Sequence, residues 1–142
     1  MTDDPAPALE GIWAAWRVGN KAATLAWLAD DAMYAQHIPA DVVPSGGMAI
    51  GKRAVSDRLQ TLLDLFETID YDGTVTGVDG PTARGQVAFR FRHRVTGHEI
   101  EATMRMIIKV RNGLIVTLDE FHDVERIRAF MALIAYDAAL EQ

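Results

Sequence analysis

Apolar residues recur every three or four positions in the first half of the chain and at its C-terminal end, and every second position between them, so helices bracket a run of strands. Leu9, Ile12, Trp13 and Trp16 share one helical face until Gly19 supplies a stop, while residues 1–7, polar and Pro-bearing, are expected to be disordered. Asn20 can cap a second short helix whose buried stripe is Ala22, Leu25 and Leu28, broken by Asp30 and Asp31. Ala32 to Ile38 reads as a strand, and Pro39, Pro44, Ser45, Gly46 and Gly47 mark a long loop after it. Val55, Leu59, Leu62, Leu63 and Phe66 then define a helix from Lys52 to about Glu67.

From Ile69 to His122 the period changes. Ala83, Gly85, Val87, Phe89, Phe91 and Val95 alternate with Arg84, Gln86, Arg90, Arg92 and Arg94, and Ile100, Ala102, Met104, Met106, Ile108 and Val110 alternate with Glu99, Glu101, Thr103, Arg105 and Lys109. Thr96-Gly97 and Asn112-Gly113 supply the turns of an antiparallel meander. A last helix from about Asp123, its N-cap, turns Ile127, Phe130, Met131 and Ile134 inward.

Helices first and a sheet afterwards predict an α+β fold in which the helices cover one sheet face. The other face carries Arg90, Arg92, Glu101 and Arg105, which suits either solvent or a sheet-to-sheet contact between two copies. The 142 residues, 49% of them hydrophobic, are read as one domain over residues 1–142 with a core that needs no staples. With no Cys, thiol nucleophiles, disulfides and thiolate metal sites are excluded, and a reducing cytoplasmic setting is expected. A formal charge of -6 argues against nucleic acid as a partner. The acidic MTDDPAPALEG has no apolar h-region and no window approaches a membrane span, so neither a secretion signal nor a transmembrane helix is expected.

The last strand is where chemistry is expected. Leu114, Val116 and Leu118 set an apolar face, and the next residues in that register are Glu120 and His122, an acid and an imidazole turned toward the core. Such a pair suits general acid–base work near neutral pH. Tyr34 and Gln36 share the inward face of the first strand and can orient a substrate oxygen or a water. Trp13, Trp16, Leu62, Phe66, Phe89, Phe91, Met104 and Met106 are the candidate apolar lining of the same interior, though residues of this kind at these spacings also build plain cores. Gly46-Gly47-Met48-Ala49-Ile50-Gly51-Lys52-Arg53 matches a phosphate loop only up to Arg53, which cannot hold Mg²⁺. His37, His93, His98 and His122 lack metal-ligand spacing, so neither a metal nor a cofactor is expected.

The order of elements, together with Leu28-Ala29-Asp30-Asp31-Ala32-Met33-Tyr34, Gly51-Lys52-Arg53-Ala54-Val55 and Gly113-Leu114-Ile115 leading into Asp119-Glu120-Phe121-His122-Asp123, resembles the SnoaL-like, ketosteroid-isomerase-like superfamily of the nuclear transport factor 2-like fold. The resemblance covers nearly the whole chain. It implies a cystatin-like, cone-shaped curved antiparallel sheet with helices packed on its concave face around a deep pocket, and a homodimer formed through the outer face of the sheet. In layout the chain is most similar to the limonene-epoxide hydrolases, with Tyr34, Gln36 and Glu120 where those enzymes keep a Tyr, an Asn and an Asp around a nucleophilic water. Their Arg-x-Asp pair is replaced here by Val87 and Phe89, and the general-base Asp of the ketosteroid isomerases falls near Gln36.

The resulting expectation is a SnoaL-like enzyme doing cofactor-independent acid–base chemistry, of isomerase, cyclase, dehydratase or hydrolase type, on an apolar oxygen-bearing molecule. In this reading Glu120 takes or gives the proton, His122 relays it, and Tyr34 and Gln36 donate hydrogen bonds to developing negative charge. The alternative is a non-catalytic module of the same fold that binds a hydrophobic ligand or dimerises. Hydrogen-bond reach between Glu120 and His122 inside a closed pocket separates the two.

Overall fold

A computed structural model of the chain describes residues 4–140. The elements run α1 (Ala6–Arg17), α2 (Lys21–Leu25), β1 (Leu28–His37), β2 (Gly47–Ile50), α3 (Lys52–Leu65), β3 (Phe66–Asp79), β4 (Thr82–His93), β5 (Glu99–Arg111), β6 (Leu114–His122) and α4 (Val124–Leu140). The strands form one curved six-stranded sheet in the order β2-β1-β6-β5-β4-β3. The predicted meander is antiparallel throughout, and β1 joins it in parallel with β6.

Several boundaries differ from the sequence pattern, each for a local reason. α1 begins at Ala6 on a buried Pro5, because proline suits a helix start, and of residues 1–7 only 1–3 lie outside the described residues. Leu28 opens β1 instead of closing α2. The glycine-rich stretch read as loop contains a short edge strand, β2, and Gly51 at φ 89° turns the chain into α3. In β4 the inward place after Phe91 goes to His93, and Val95, displaced into the turn, is 82% exposed. In β6 a bulge at Val116, between Ile115 opposite Val110 and Thr117 opposite Lys109, puts Ile115 inside and Leu114 outside. Alternation then resumes, so Leu118 and Glu120 still face the core.

The core fills the space between the inner sheet face and the helices. Trp13 of α1 occupies a slot left by two glycines: a Cβ on Gly73 or Gly85 would come within 2.3 or 2.4 Å of the indole. Its Nε1–H donates to Met106 Sδ at 3.3 Å. α2 is capped by Asn20, whose side chain accepts from Ala23 N–H at 3.0 Å. α4 is capped by Asp123, accepting from Arg126 N–H at 3.2 Å, and is tied to the hairpin by Arg126 Nε on the Glu101 carbonyl and by an ion pair of His98 with Asp137. The charges of the outer face pair within their own sheet, Arg90 with Glu99 at 2.6 Å and Arg92 with Glu67 at 2.8 Å. Among the described residues no helix is long and apolar enough to cross a membrane.

Candidate functional site

Parallel pairing of β1 with β6 places Tyr34 beside Leu118 and Gln36 beside Glu120, so the four polar residues expected on these strands meet on one inward face. Tyr34 Oη donates to Glu120 Oε2 at 2.7 Å, and Gln36 Nε2 lies at 3.5 Å from Oε1, the long limit of such a bond. Ser45 Oγ donates to Gln36 Oε1 at 2.8 Å, at the other end of that amide. His122 Nε2 is 3.1 Å from Glu120 Oε1, with the two side chains only 5% and 11% exposed. Among the described residues neither Lys nor Arg pairs with Glu120. His122 Nδ1 is buried without a hydrogen-bond partner among the described residues. With Nε2–H directed at the carboxylate, Nδ1 is left as the open position of the ring.

These groups line a cavity of ≈ 70 Å³. One water needs roughly 10–15 Å³ of such space, so the cavity takes a small organic group. Of the expected apolar lining, Trp16, Leu62, Phe66, Phe91, Met104 and Met106 are present in its wall. Trp13 is not, because the glycine slot holds it in the core. Phe89 lies instead on an adjoining space of ≈ 50 Å³ beneath α4, with Ile127, Phe130 and Met131. Gln36 and His122 border both spaces and stand where they meet.

Three contributors escape the sequence pattern. Tyr71 and Thr68 of β3 line the cavity because a bulge at Ile69, between Thr68 opposite Phe91 and Asp70 opposite Arg90, changes the phase of the strand. Arg58 of α3 lies 5.7 Å from the centre of the Tyr34 ring and donates to the Gly47 carbonyl at 2.6 Å, which holds the ring and the β1–β2 connection together. Alternation alone cannot find Tyr71, since only the pairing register reveals the change of face. Among the described residues no group of three or more His, Asp or Glu side chains is gathered to hold a metal ion.

Burial, and after it the charge of Glu120, pushes the Tyr34 and Tyr71 hydroxyls well above the ordinary phenol value of 10.0. Both folded values lie above the unfolded one, so this contribution to stability is complete below pH 10 and is lost as pH rises through the folded values. In an ultraviolet titration two of the 3 tyrosines are expected to stay protonated past pH 10 and to ionise together with loss of the near-ultraviolet circular dichroism. Ionisation of all of them before any loss of structure contradicts the burial of these two.

A curved α+β sheet closed by helices over a buried polar cluster around one carboxylate defines the class of protein. Residues 9–118 match the model of the SnoaL-like domain, and the chain belongs to that family. No curated protein matches the chain by sequence. Among solved structures, it is similar to a nuclear transport factor 2-like protein from Burkholderia xenovorans LB400, with a TM-score of 0.75 at 21% identity over 91% of this chain and 96% of that one. A candidate polyketide cyclase from Xanthomonas campestris pv. campestris gives 0.72 at 18% identity over 89% and 96%. A protein of ketosteroid isomerase-like fold from Catenulispora acidiphila DSM 44928, in complex with trimethylamine, gives 0.69 at 16% identity over 84% and 88%. At these identities the likeness carries the fold.

Proposed function

We propose that this chain is a small enzyme that moves a proton at a carbon beside an oxygen function, on a compact and largely apolar molecule, without a cofactor. The observation that carries this reading is the buried pair of Glu120 and His122, Oε1 to Nε2 at 3.1 Å, set into a largely apolar cavity. A few convergent polar groups in apolar walls is the form small-molecule sites take. Glu120 supplies a carboxylate to take the proton, and His122 supplies a second acceptor at Nδ1. Tyr34 and Gln36, both directed at Glu120, hold that carboxylate in place rather than reaching for a substrate oxygen. The cyclase and ketosteroid-isomerase likenesses support the reaction class, since ring closure and double-bond migration both begin with removal of a proton next to a carbonyl.

The test is hydrogen exchange in cyclohexanone, a compact ketone with acidic α-protons. In D₂O, the protein is expected to speed the loss of the α-proton resonances over buffer alone and to saturate with ketone. Saturable binding with no exchange would replace the enzyme with a ligand-binding module.

A further inference from the structure

Two spaces lie under the helices, and His122 is set between them. The space of ≈ 50 Å³ beneath α4 shares Gln36, Leu62, Phe66, Phe91 and His122 with the ≈ 70 Å³ cavity, whereas Glu120 borders the larger space alone. The rest of the smaller space is walled mainly by apolar side chains of β4, β5 and α4, and among the described residues His122 is the one ionisable group on it. Its roof is fastened near both ends, by Arg126 Nε on the Glu101 carbonyl and by the pair of His98 with Asp137, so the space is built into the fold.

The two nitrogens of the imidazole serve different sides. Nε2 lies 3.1 Å from Glu120 Oε1, toward the larger cavity, and the side chain is 5% exposed. Phe89, which lines the smaller space alone, packs edge to face against the same ring, with centroids 6.0 Å apart and planes at 70°. In the neutral ring the proton sits on Nε2, facing the carboxylate, so Nδ1 keeps a lone pair that points away from Glu120. That atom is buried without a hydrogen-bond partner among the described residues. An idle buried acceptor weakens a fold, and native proteins rarely keep one without a use.

We infer that the space beneath α4 is a second binding compartment, which takes the hydroxyl-bearing end of an apolar ligand, the hydroxyl donating to His122 Nδ1 while the reacting end lies beside Glu120. This rests on the reading of the larger cavity as the reacting site. The walls set the chemical class. An ammonium group would lose its water with no carboxylate on the compartment to meet it, and an amide would bring a carbonyl that needs donors of its own. A hydroxyl brings one proton to one lone pair. Selection follows from the same atom, since a ligand of equal shape without the donor leaves Nδ1 idle and binds more weakly. The contact also holds the tautomer in which Nε2–H faces Glu120, so occupation of the compartment orients the ring that the carboxylate leans on.

The experiment compares phenol with fluorobenzene, a ring of nearly the same shape with no proton to donate, on protein labelled with ¹⁵N in its histidine rings. In wild type, phenol is expected to bind roughly three- to tenfold more tightly than fluorobenzene, the range for one hydrogen bond. The His122 Nδ1 resonance should stand at the position of an unprotonated nitrogen in the free protein, and further upfield with phenol bound than with fluorobenzene bound. His122→Phe, which keeps a flat ring and removes both nitrogens, is expected to abolish the preference; if that variant does not fold, the wild-type resonance decides alone. An Nδ1 resonance identical in the two complexes overturns the inference, and so does an Nδ1 that carries a proton in the free protein. Phenol that fails to bind below the concentration at which it unfolds the protein overturns it as well. Exchange in cyclohexanone keeps the two readings apart: exchange without the phenol signature leaves the proton transfer standing and removes the compartment, and the phenol signature in a protein that catalyses no exchange does the reverse.

Discussion

Glu120→Gln is expected to lower kcat/KM for α-proton exchange in cyclohexanone by roughly two to four orders of magnitude, the range that a positioned general base contributes. The substitution keeps the shape of the side chain. Its amide oxygen can still accept from Tyr34, and its NH₂ can still meet His122, whose ring adopts the other tautomer. What it cannot do is take a proton. Ketone affinity should therefore change by no more than a few-fold, which places the loss in the chemical step and not in binding. Exchange rates by NMR, beside melting curves of the same samples, separate a chemical loss from a folding defect. A variant within tenfold of wild type would remove Glu120 from the proton transfer and leave His122 Nδ1, buried without a partner among the described residues, as the base.

Trp13→Ala should have the largest effect on stability, about 3–5 kcal/mol, as expected for emptying a buried aromatic site. The indole is 4% exposed and wedged against Gly73 of β3 and Gly85 of β4. Because both positions lack side chains, neither can collapse into the space left behind. Typical domains hold about 5–15 kcal/mol in total, so the urea midpoint should fall by about a fifth or more with little change in slope. Met106, which accepts the Trp13 N–H and also forms part of the cavity wall, loses its anchor, so ketone affinity should weaken in parallel. A loss below about 1 kcal/mol would mean that the slot is not closely packed.

The parts of the fold that the sequence spells out are those where period and pairing agree. β4 and β5 alternate without interruption over Ala83 to Phe91 and over Ile100 to Val110, apart from the half-buried Phe91 and Ala102, and both strands stand where the pattern puts them. Glu120 and His122 were legible because the β6 bulge at Val116 falls before them and not between them. β3 was not legible. Its register shifts at Ile69 and again at Thr76, so no single alternation describes it, and Tyr71 stays hidden. Partner choice was hidden for another reason: nothing local to Ala32–Ile38 encodes that this strand lies beside the last one and parallel to it. That pairing also explains why Tyr34 and Gln36 end on Glu120. Two residues on one face of a strand can be read from the sequence, but the carboxylate they serve is fixed by a neighbour 84 positions away from Gln36 and 86 from Tyr34.

The parallel seam between β1 and β6 also dictates the order in which the molecule can assemble. β2 reaches the sheet only through β1, and β1 only through the last strand to leave the ribosome. The meander from β3 to β6 closes by short turns and can form early, whereas docking β1 closes a loop spanning most of the chain. Topologies of this kind fold slowly for their size, since the entropy of the long closure is lost before its contacts are gained. Until that event the first strand has no partner on the β6 side and is exposed to pairing with other chains. Assembly of the Tyr34, Gln36, Glu120 and His122 cluster thus marks completion of folding.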